Sequence, residues 1–275
     1  MSETVLERCE SRPAPGLRHA IRRYVATDLT GLAPGTHQGV RSRYLTMIVG
    51  LGSTIDIAAM PDRAQTPGTF DALVGGLHTS PATIRYGTRI GCVRIELTPL
   101  GARSVLGVPA GELAARVVAL RDVLGRDAGE LLDRLHGSGS WPARFAILDE
   151  ILARRLGGAG AVTAEVAWAW RVLLARGGGV RIGDWSRRHL GERFRSELGL
   201  SPKAAARVLR FERALSHLER SDTRRLADVA VACGYVDQAH LTREWRALAG
   251  LPPAAWLAAQ ELPNVQDAVH DSGAA

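Results

Sequence analysis

The sequence has few cysteines, a single lysine and no long apolar run. Its three cysteines, Cys9, Cys92 and Cys233, lie far apart and are odd in number, which indicates neither a disulfide framework nor a zinc site. The longest apolar runs are too short to cross a bilayer, and the charged start MSETVLERCE lacks the apolar segment of a signal peptide. We therefore expect a cytoplasmic globular protein with reduced thiols and no membrane partner.

Catalytic and metal-binding motifs are also missing. His37, His78, His136 and Cys92 are the candidate ligands of the first 140 residues, yet none falls at the H-x-H or H-E-x-x-H spacing of a metal site. The nucleophile motif G-x-S-x-G is absent, and the glycines do not have the spacing of a phosphate-binding or dinucleotide-binding loop. We expect neither an enzyme nor a bound metal or cofactor.

After these absences, charge is the first feature of the sequence that indicates a partner. The chain carries 35 Arg and Lys against 28 Asp and Glu, a net charge of +7, and Lys203 is its only lysine. Residues 177–260 hold 14 of the basic residues against 9 acidic ones. A basic surplus favours a polyanionic partner, although arginine enrichment can also reflect base composition.

The hydrophobic pattern changes along the chain. Up to about residue 110, short runs rich in Val, Ile and Thr are bounded by Gly and Pro, which predicts β-strands in YLTMIVGL, STIDIAAM, DALVGGLH and CVRIELTPL. From PAGELAARVVAL onward the apolar spacing is helical. Several strands in succession suggest a small barrel or a sandwich. The sequence thus predicts an α+β protein: a barrel-like β-rich domain with a helical connector (1–160), an all-α domain (161–260) and a flexible tail (261–275).

One unit occurs twice. SRRHLGERFRSELGLSPKAAA (186–206) and DQAHLTREWRALAGLPPAAWL (237–257) share seven identities in 21 positions at an offset of 51 residues. The second copy is preceded by the short helical pattern RLADVAVACG, in which Gly234 can adopt a left-handed conformation and Asp237 can cap the next helix. The pattern predicts a helix-turn-helix whose second helix buries Leu241, Trp245 and Leu248.

The opposite arc of that second helix carries polar groups. Arginine can chelate guanine, glutamine can pair with adenine, and threonine offers both a methyl and a hydroxyl group, so the arc suits base edges in the major groove. A solvated helix face is the simpler interpretation for any single polar helix. We predict DNA contacts from Gln238, Ala239, His240, Thr242, Arg243 and Arg246.

Residues 163–258, and GYVDQAHLTREWRALAGLPP in particular, resemble the AraC/XylS-type transcription regulators. The resemblance implies two helix-turn-helix subdomains joined by a long helix, reading successive major-groove segments of double-stranded DNA. It also implies a β-rich sensing or dimerisation domain, and hence a small-molecule effector, a homodimer and contact with RNA polymerase.

Five arginines of the β-rich region alternate with strand residues, as on a solvated strand face: Arg41, Arg43, Arg85, Arg89 and Arg94. Binding of an anionic ligand is the alternative interpretation.

The first copy departs from the family pattern. Three consecutive glycines, 177–179, stand where a supporting helix is expected, and the unit is shorter by roughly seven residues. The helix after it is then either loosely packed or repacked on AEVAWAWRVLL. Its predicted contacts, from Ser186 as the N-cap and from Arg187, Arg188 and Arg195, fall on phosphates, which leaves one half-site to specify sequence. The alternative function is a ligand-binding or protein-interaction module that has lost operator binding.

Overall fold

A computed structural model of the chain describes residues 4–39, 41–157, 160, 162–176, 188–220 and 225–258. The predicted α+β order is confirmed, with strands first and helices after them. Short 3-10 helices occupy Pro15–Leu17 and Ala110–Leu113. The strands are β1 (Val5–Ser11), β2 (Ile21–Thr30), β3 (Gly35–Gln38), β4 (Leu45–Gly50), β5 (Ile55–Ala59), β6 (Gly68–Phe70), β7 (Ala72–Gly75), β8 (Thr83–Tyr86), β9 (Arg89–Leu97) and β10 (Val117–Ala119).

Helices make up the second part of the chain. They are α1 (Ala102–Leu106), α2 (Leu120–Leu124), α3 (Arg126–His136), α4 (Trp141–Arg155), α5 (Ala164–Ala175), α6 (Arg188–Leu198), α7 (Pro202–Arg220), α8 (Leu226–Ala232), α9 (Gln238–Ala249) and α10 (Pro253–Ala258). Within the described ranges, none of these helices combines the length and the apolar character that a membrane crossing needs.

The described strands form two antiparallel sheets, as in the sandwich that the sequence allowed beside a small barrel. Six strands follow the order β1-β2-β9-β4-β7-β10, and four follow β3-β8-β5-β6. The sheets pack together through a small apolar cluster that includes Ile57 of β5, Leu73 of β7 and Val117 of β10. The term barrel-like is therefore too strong, because neither sheet closes on itself among the described strands.

The helices cover the other face of the six-stranded sheet. Successive strand residues point to opposite faces, so Tyr24 of β2 reaches the helices while Arg23 reaches the other side. The Tyr24 ring stacks on Phe145 of α4 with centroids 5.9 Å apart, and its hydroxyl donates to Asp149 at 2.8 Å. This face carries the larger core, which continues from the sheet into α5–α10.

Polar contacts join the β-rich region to the helical one. Glu212 in the middle of α7 accepts hydrogen bonds from the backbone N–H of Arg43 (2.7 Å) and from its guanidinium (2.6 Å). Arg103 of α1 donates to Glu197 of α6 at 2.9 Å. A Cβ added at Gly111 would collide with the carbonyl oxygen of Ser196, so α6 approaches the 3-10 helix at the distance that glycine allows.

The arginines predicted to lie on a solvated strand face do not share one environment. Arg85 and Arg89 are exposed, as predicted, and pair with Asp56 and Asp28 respectively. Arg41 and Arg94 contradict the prediction, since only 1% and 8% of their surfaces are exposed. Arg94 is buried because the second sheet covers its face of β9, where it lies 3.4 Å from Glu96.

Candidate nucleic-acid interface

The helix-turn-helix predicted at residues 226–249 is present. Helix α8 ends before Gly234, whose φ of 77° is the left-handed conformation expected for this turn. The backbone N–H of Tyr235 then donates to the carbonyl of Ala230 at 2.9 Å, which folds the chain back. Asp237 caps α9, because its carboxylate accepts the backbone N–H of His240 at 2.6 Å.

One face of α9 is fully buried. Leu241, Trp245 and Leu248 are each at most 1% exposed, as the helical spacing predicted. The Trp245 ring packs edge-on against Phe211 of α7 at 4.8 Å and against Trp256 of α10 at 5.6 Å. Burial of side chains this large fixes the rotation of α9 about its axis. Replacing Trp245 with alanine would lower the free energy of unfolding by about 3–5 kcal/mol.

The predicted reading arc lies on the other face. Gln238, Ala239, Arg243 and Arg246 are exposed, while His240 and Thr242 are partly exposed. Neither Arg243 nor Arg246 forms an ion pair with any residue that the structure describes. Two guanidinium groups are thus available to a partner on one side of a well-anchored helix.

His240 and Glu244 have structural contacts that the sequence did not reveal. The Nδ1 atom of His240 accepts the backbone N–H of Val236 at 3.3 Å, and its ring packs edge-on against Tyr235. Glu244 accepts from Arg207 at 2.7 Å and from Arg210 at 3.4 Å. His240 therefore stabilises the turn, and Glu244 connects α9 to α7. The sequence did not predict these ion pairs, because Glu244 is far from Arg207 and Arg210 along the chain.

The first copy is only partly described. Residues 177–179, Ser186 and Arg187 lie outside the described residues, as does the side chain of Arg188. Phe194 of α6 is fully buried, and its ring lies 6.3 Å from Trp170 of α5. The structure thus shows the second alternative, repacking on AEVAWAWRVLL. Arg195 is exposed, and so is Glu192.

A cavity of about 570 Å³ lies away from the helix-turn-helix, between the two sheets. Its lining is largely apolar and includes Ile48 of β4 and Ile84 of β8, with Arg94 and Cys92 contributed by β9. Burial raises the pKa of the Cys92 thiol to about 11, so this thiol is protonated and unreactive at neutral pH. The described residues contain no cluster of three His, Cys, Asp or Glu that could hold a metal ion.

Comparison with known proteins gives one domain match and several distant structural matches. Residues 183–259 match the family model described as a helix-turn-helix domain. No curated protein matches the sequence. A structure of ToxT from Vibrio cholerae aligns at 9% identity and a TM-score of 0.48, covering 93% of this chain and 97% of that one.

A second structure of ToxT, from Vibrio cholerae O395, has 9% identity and a TM-score of 0.49, with 97% and 98% of the two chains covered. ToxT with a bound unsaturated fatty acid aligns at 8% identity and a TM-score of 0.47, covering 94% and 97%. The domain match and the paired helices α8 and α9 identify residues 183–259 as an AraC-type helix-turn-helix domain, which follows a β-rich region in this chain.

Proposed function

We propose that this protein is a cytoplasmic, sequence-specific transcription regulator that reads the DNA major groove mainly with α9. The observation that carries the proposal is the exposed arc of α9, where Arg243 and Arg246 lie opposite a fully buried stripe and form no ion pair with the described residues. In helix-turn-helix proteins the second helix enters the major groove and contacts base edges from its N-terminal residues.

Each side chain of the arc has a role in this proposal. Arg243 chelates guanine, Gln238 pairs with adenine, and Thr242 offers its methyl or hydroxyl group. Ala239 is small enough to let the helix approach the bases. His240, whose Nε2 lies 3.9 Å from the Glu244 carboxylate, would contact a base or a phosphate. Arg246, nearer the C-terminal end, binds a phosphate. The Asp237 cap and the Glu244 anchor keep this arc in place before DNA binds.

In this proposal the first copy positions the protein on the DNA and does not read the base sequence. Arg195 is exposed on α6, and with Arg187 and Arg188, after Ser186 as N-cap, it would bind phosphates. Glu192 on the same helix repels phosphate, which disfavours base reading there. Site selection should therefore return one well-specified half-site.

We keep the domain boundaries 1–160, 161–260 and 261–275 as part of the proposal, with RNA polymerase and a second copy of the chain as further partners.

Replacing Arg243 with alanine tests base reading. A preferred duplex is first selected from random sequences, and affinities are then measured by fluorescence anisotropy on that duplex and on a scrambled one. We expect Arg243→Ala to weaken binding to the preferred duplex by about 1–3 kcal/mol, because a bidentate contact to guanine is lost. Binding to the scrambled duplex should change much less.

Arg246→Ala is the matched control, since both side chains are exposed on the same helix. It should weaken binding to both duplexes alike and lower the slope of log affinity against log salt by about one. An equal loss on the two duplexes for Arg243→Ala would show that Arg243 binds only phosphate. If selection enriched no sequence at all, the alternative of a module that has lost operator binding would stand.

We propose in addition that a small molecule occupies the cavity between the sheets and regulates DNA binding. The apolar lining, with a single buried guanidinium from Arg94, suits a molecule with an apolar body and one polar or anionic group. The cavity and the helix-turn-helix belong to one connected structure, because Glu212 of α7 binds the segment that leads into β4.

The fluorescent apolar anion 1-anilinonaphthalene-8-sulfonate is a direct probe of this cavity. We expect saturable binding to the wild-type protein and its loss in Ile48→Trp, because the indole would fill space that Ile48 borders. Leu132→Trp is the control, as Leu132 lines a separate hollow beside α3. Equal binding to wild type and Ile48→Trp would place the probe elsewhere and remove the support for this site.

A further inference from the structure

Val236 is the most exposed large apolar side chain of the described residues, with 83% of its surface accessible. It lies in the turn between α8 and α9, immediately before the cap Asp237 and two residues before Gln238. A valine side chain that is exposed to water adds no hydrophobic stabilisation to the fold. Contact with an apolar group of a partner would remove its surface from water and favour binding.

The backbone on both sides of Val236 is held in place. Its own N–H donates to the Nδ1 atom of His240, and the preceding residue, Tyr235, is 5% exposed with its N–H bonded to Ala230. Asp237 follows as the cap of α9. The exposure of Val236 is thus a property of a well-defined turn, and His240 is a positioning residue for it.

A role in helix stability does not account for this valine. An apolar residue directly before an N-cap commonly packs against the fourth residue of the helix, which here is Leu241. Leu241 is fully buried while Val236 is 83% exposed, so the two side chains do not form that contact. The side chain remains available to a partner of the helix end.

We propose that Val236 contacts the C5 methyl group of a thymine and specifies T·A at one position of the binding site. The proposal rests on the proposed function, in which the N-terminal end of α9 enters the major groove. The thymine methyl is the apolar group that base pairs present in that groove, and apolar side chains recognise it there. Val236 would thus add a reading contact from the turn to the polar contacts of the helix.

Replacement of each thymine of the selected duplex by uracil tests the proposal, because uracil lacks only the C5 methyl group. Fluorescence anisotropy is used with wild type and Val236→Ala. At one position, uracil should weaken wild-type binding about fourfold, the effect of one buried methyl group. Val236→Ala should bind the thymine and uracil duplexes equally well at that position.

Val231→Ala is the matched control, because Val231 is also a highly exposed valine, at 77%, and belongs to α8. It should retain the wild-type response to uracil. The proposal is overturned if no uracil replacement weakens wild-type binding, or if Val236→Ala responds to uracil as the wild type does. In both cases a retained effect of Arg243→Ala shows that the proposed function itself survives. Failure to select any sequence would overturn both proposals.

Discussion

Arg41→Met should raise the free energy of unfolding by about 2–4 kcal/mol, because the wild-type protein buries this charge with no hydrogen-bond partner among the described residues. Arg41 is 1% exposed, and none of its three guanidinium nitrogens has a hydrogen-bond partner among the described residues. Desolvation lowers the pKa of Arg41 from 12.5 to about 9. Methionine has a similar length and no charge, so it can fill the same space. Urea denaturation at neutral pH measures the difference.

Arg43→Met is the matched control for this change. Arg43 lies two residues later, but its guanidinium pairs with Glu212, whose side chain is 14% exposed. Its removal leaves Glu212 without its charged partner, so the same substitution should here lower the free energy of unfolding. If Arg41→Met destabilised the protein as much as Arg43→Met, Arg41 would have to be bound to a stabilising anion in solution.

The pH dependence gives Arg41→Met a second readout. The folded-state pKa of Arg41 is about 9, below the unfolded value, so between these two pH values the unfolded state binds more protons. The wild-type protein should therefore gain stability relative to Arg41→Met as the pH rises above about 9. At neutral pH the full penalty is present.

Acid should destabilise the protein through His37 and His78. Each has a pKa lowered from 6.5 to about 4, in His37 by burial, and in His78 by burial and then by the positive charge of Arg41. Below pH 6.5 the unfolded state takes up protons that the folded state excludes, so stability falls as the pH falls. Between about pH 7 and pH 5 we expect each histidine to remove about 2 kcal/mol.

Urea denaturation at both pH values tests this expectation. His37→Gln and His78→Gln cannot take up the proton, so each should reduce the loss between pH 7 and pH 5 by about 2 kcal/mol. His19→Gln is the control, because that side chain is exposed to water in the folded protein and should give the wild-type loss. A loss that all four proteins share would assign the acid sensitivity to other groups, such as paired carboxylates.

The sequence predicted much of the fold because its local patterns agree with the final structure. The apolar runs correctly located β4, β5, β7 and β9, and the change to helical apolar spacing predicted the helices from α2 onward. Strand β2 was missed although it is the longest, since IRRYVATDLT mixes arginines with apolar residues. Arg23 is buried in a pair with Glu96 at 2.8 Å, and no local pattern shows that such a partner exists.

In the candidate site, too, local features were predicted from the sequence and long-range contacts were not. The turn at Gly234, the cap at Asp237 and the buried stripe of α9 were predicted, because each depends on residues within a few positions of one another. The contacts of Glu244 with Arg207 and of Glu212 with Arg43 were not, because their partners are brought together only by folding. Base contacts by the exposed arc stay predictions that the DNA-binding experiments test.

The amino-acid sequence by itself determined the α+β order, the duplicated unit and the helix-turn-helix, since periodicity and capping are short-range properties of a chain. Tertiary structure alone decided between a barrel and two packed sheets, and it alone decided that Arg41 is buried and that α5 supports α6. Burial and long-range pairing depend on which distant segments meet, and the free energy that selects those meetings comes from the whole packed core.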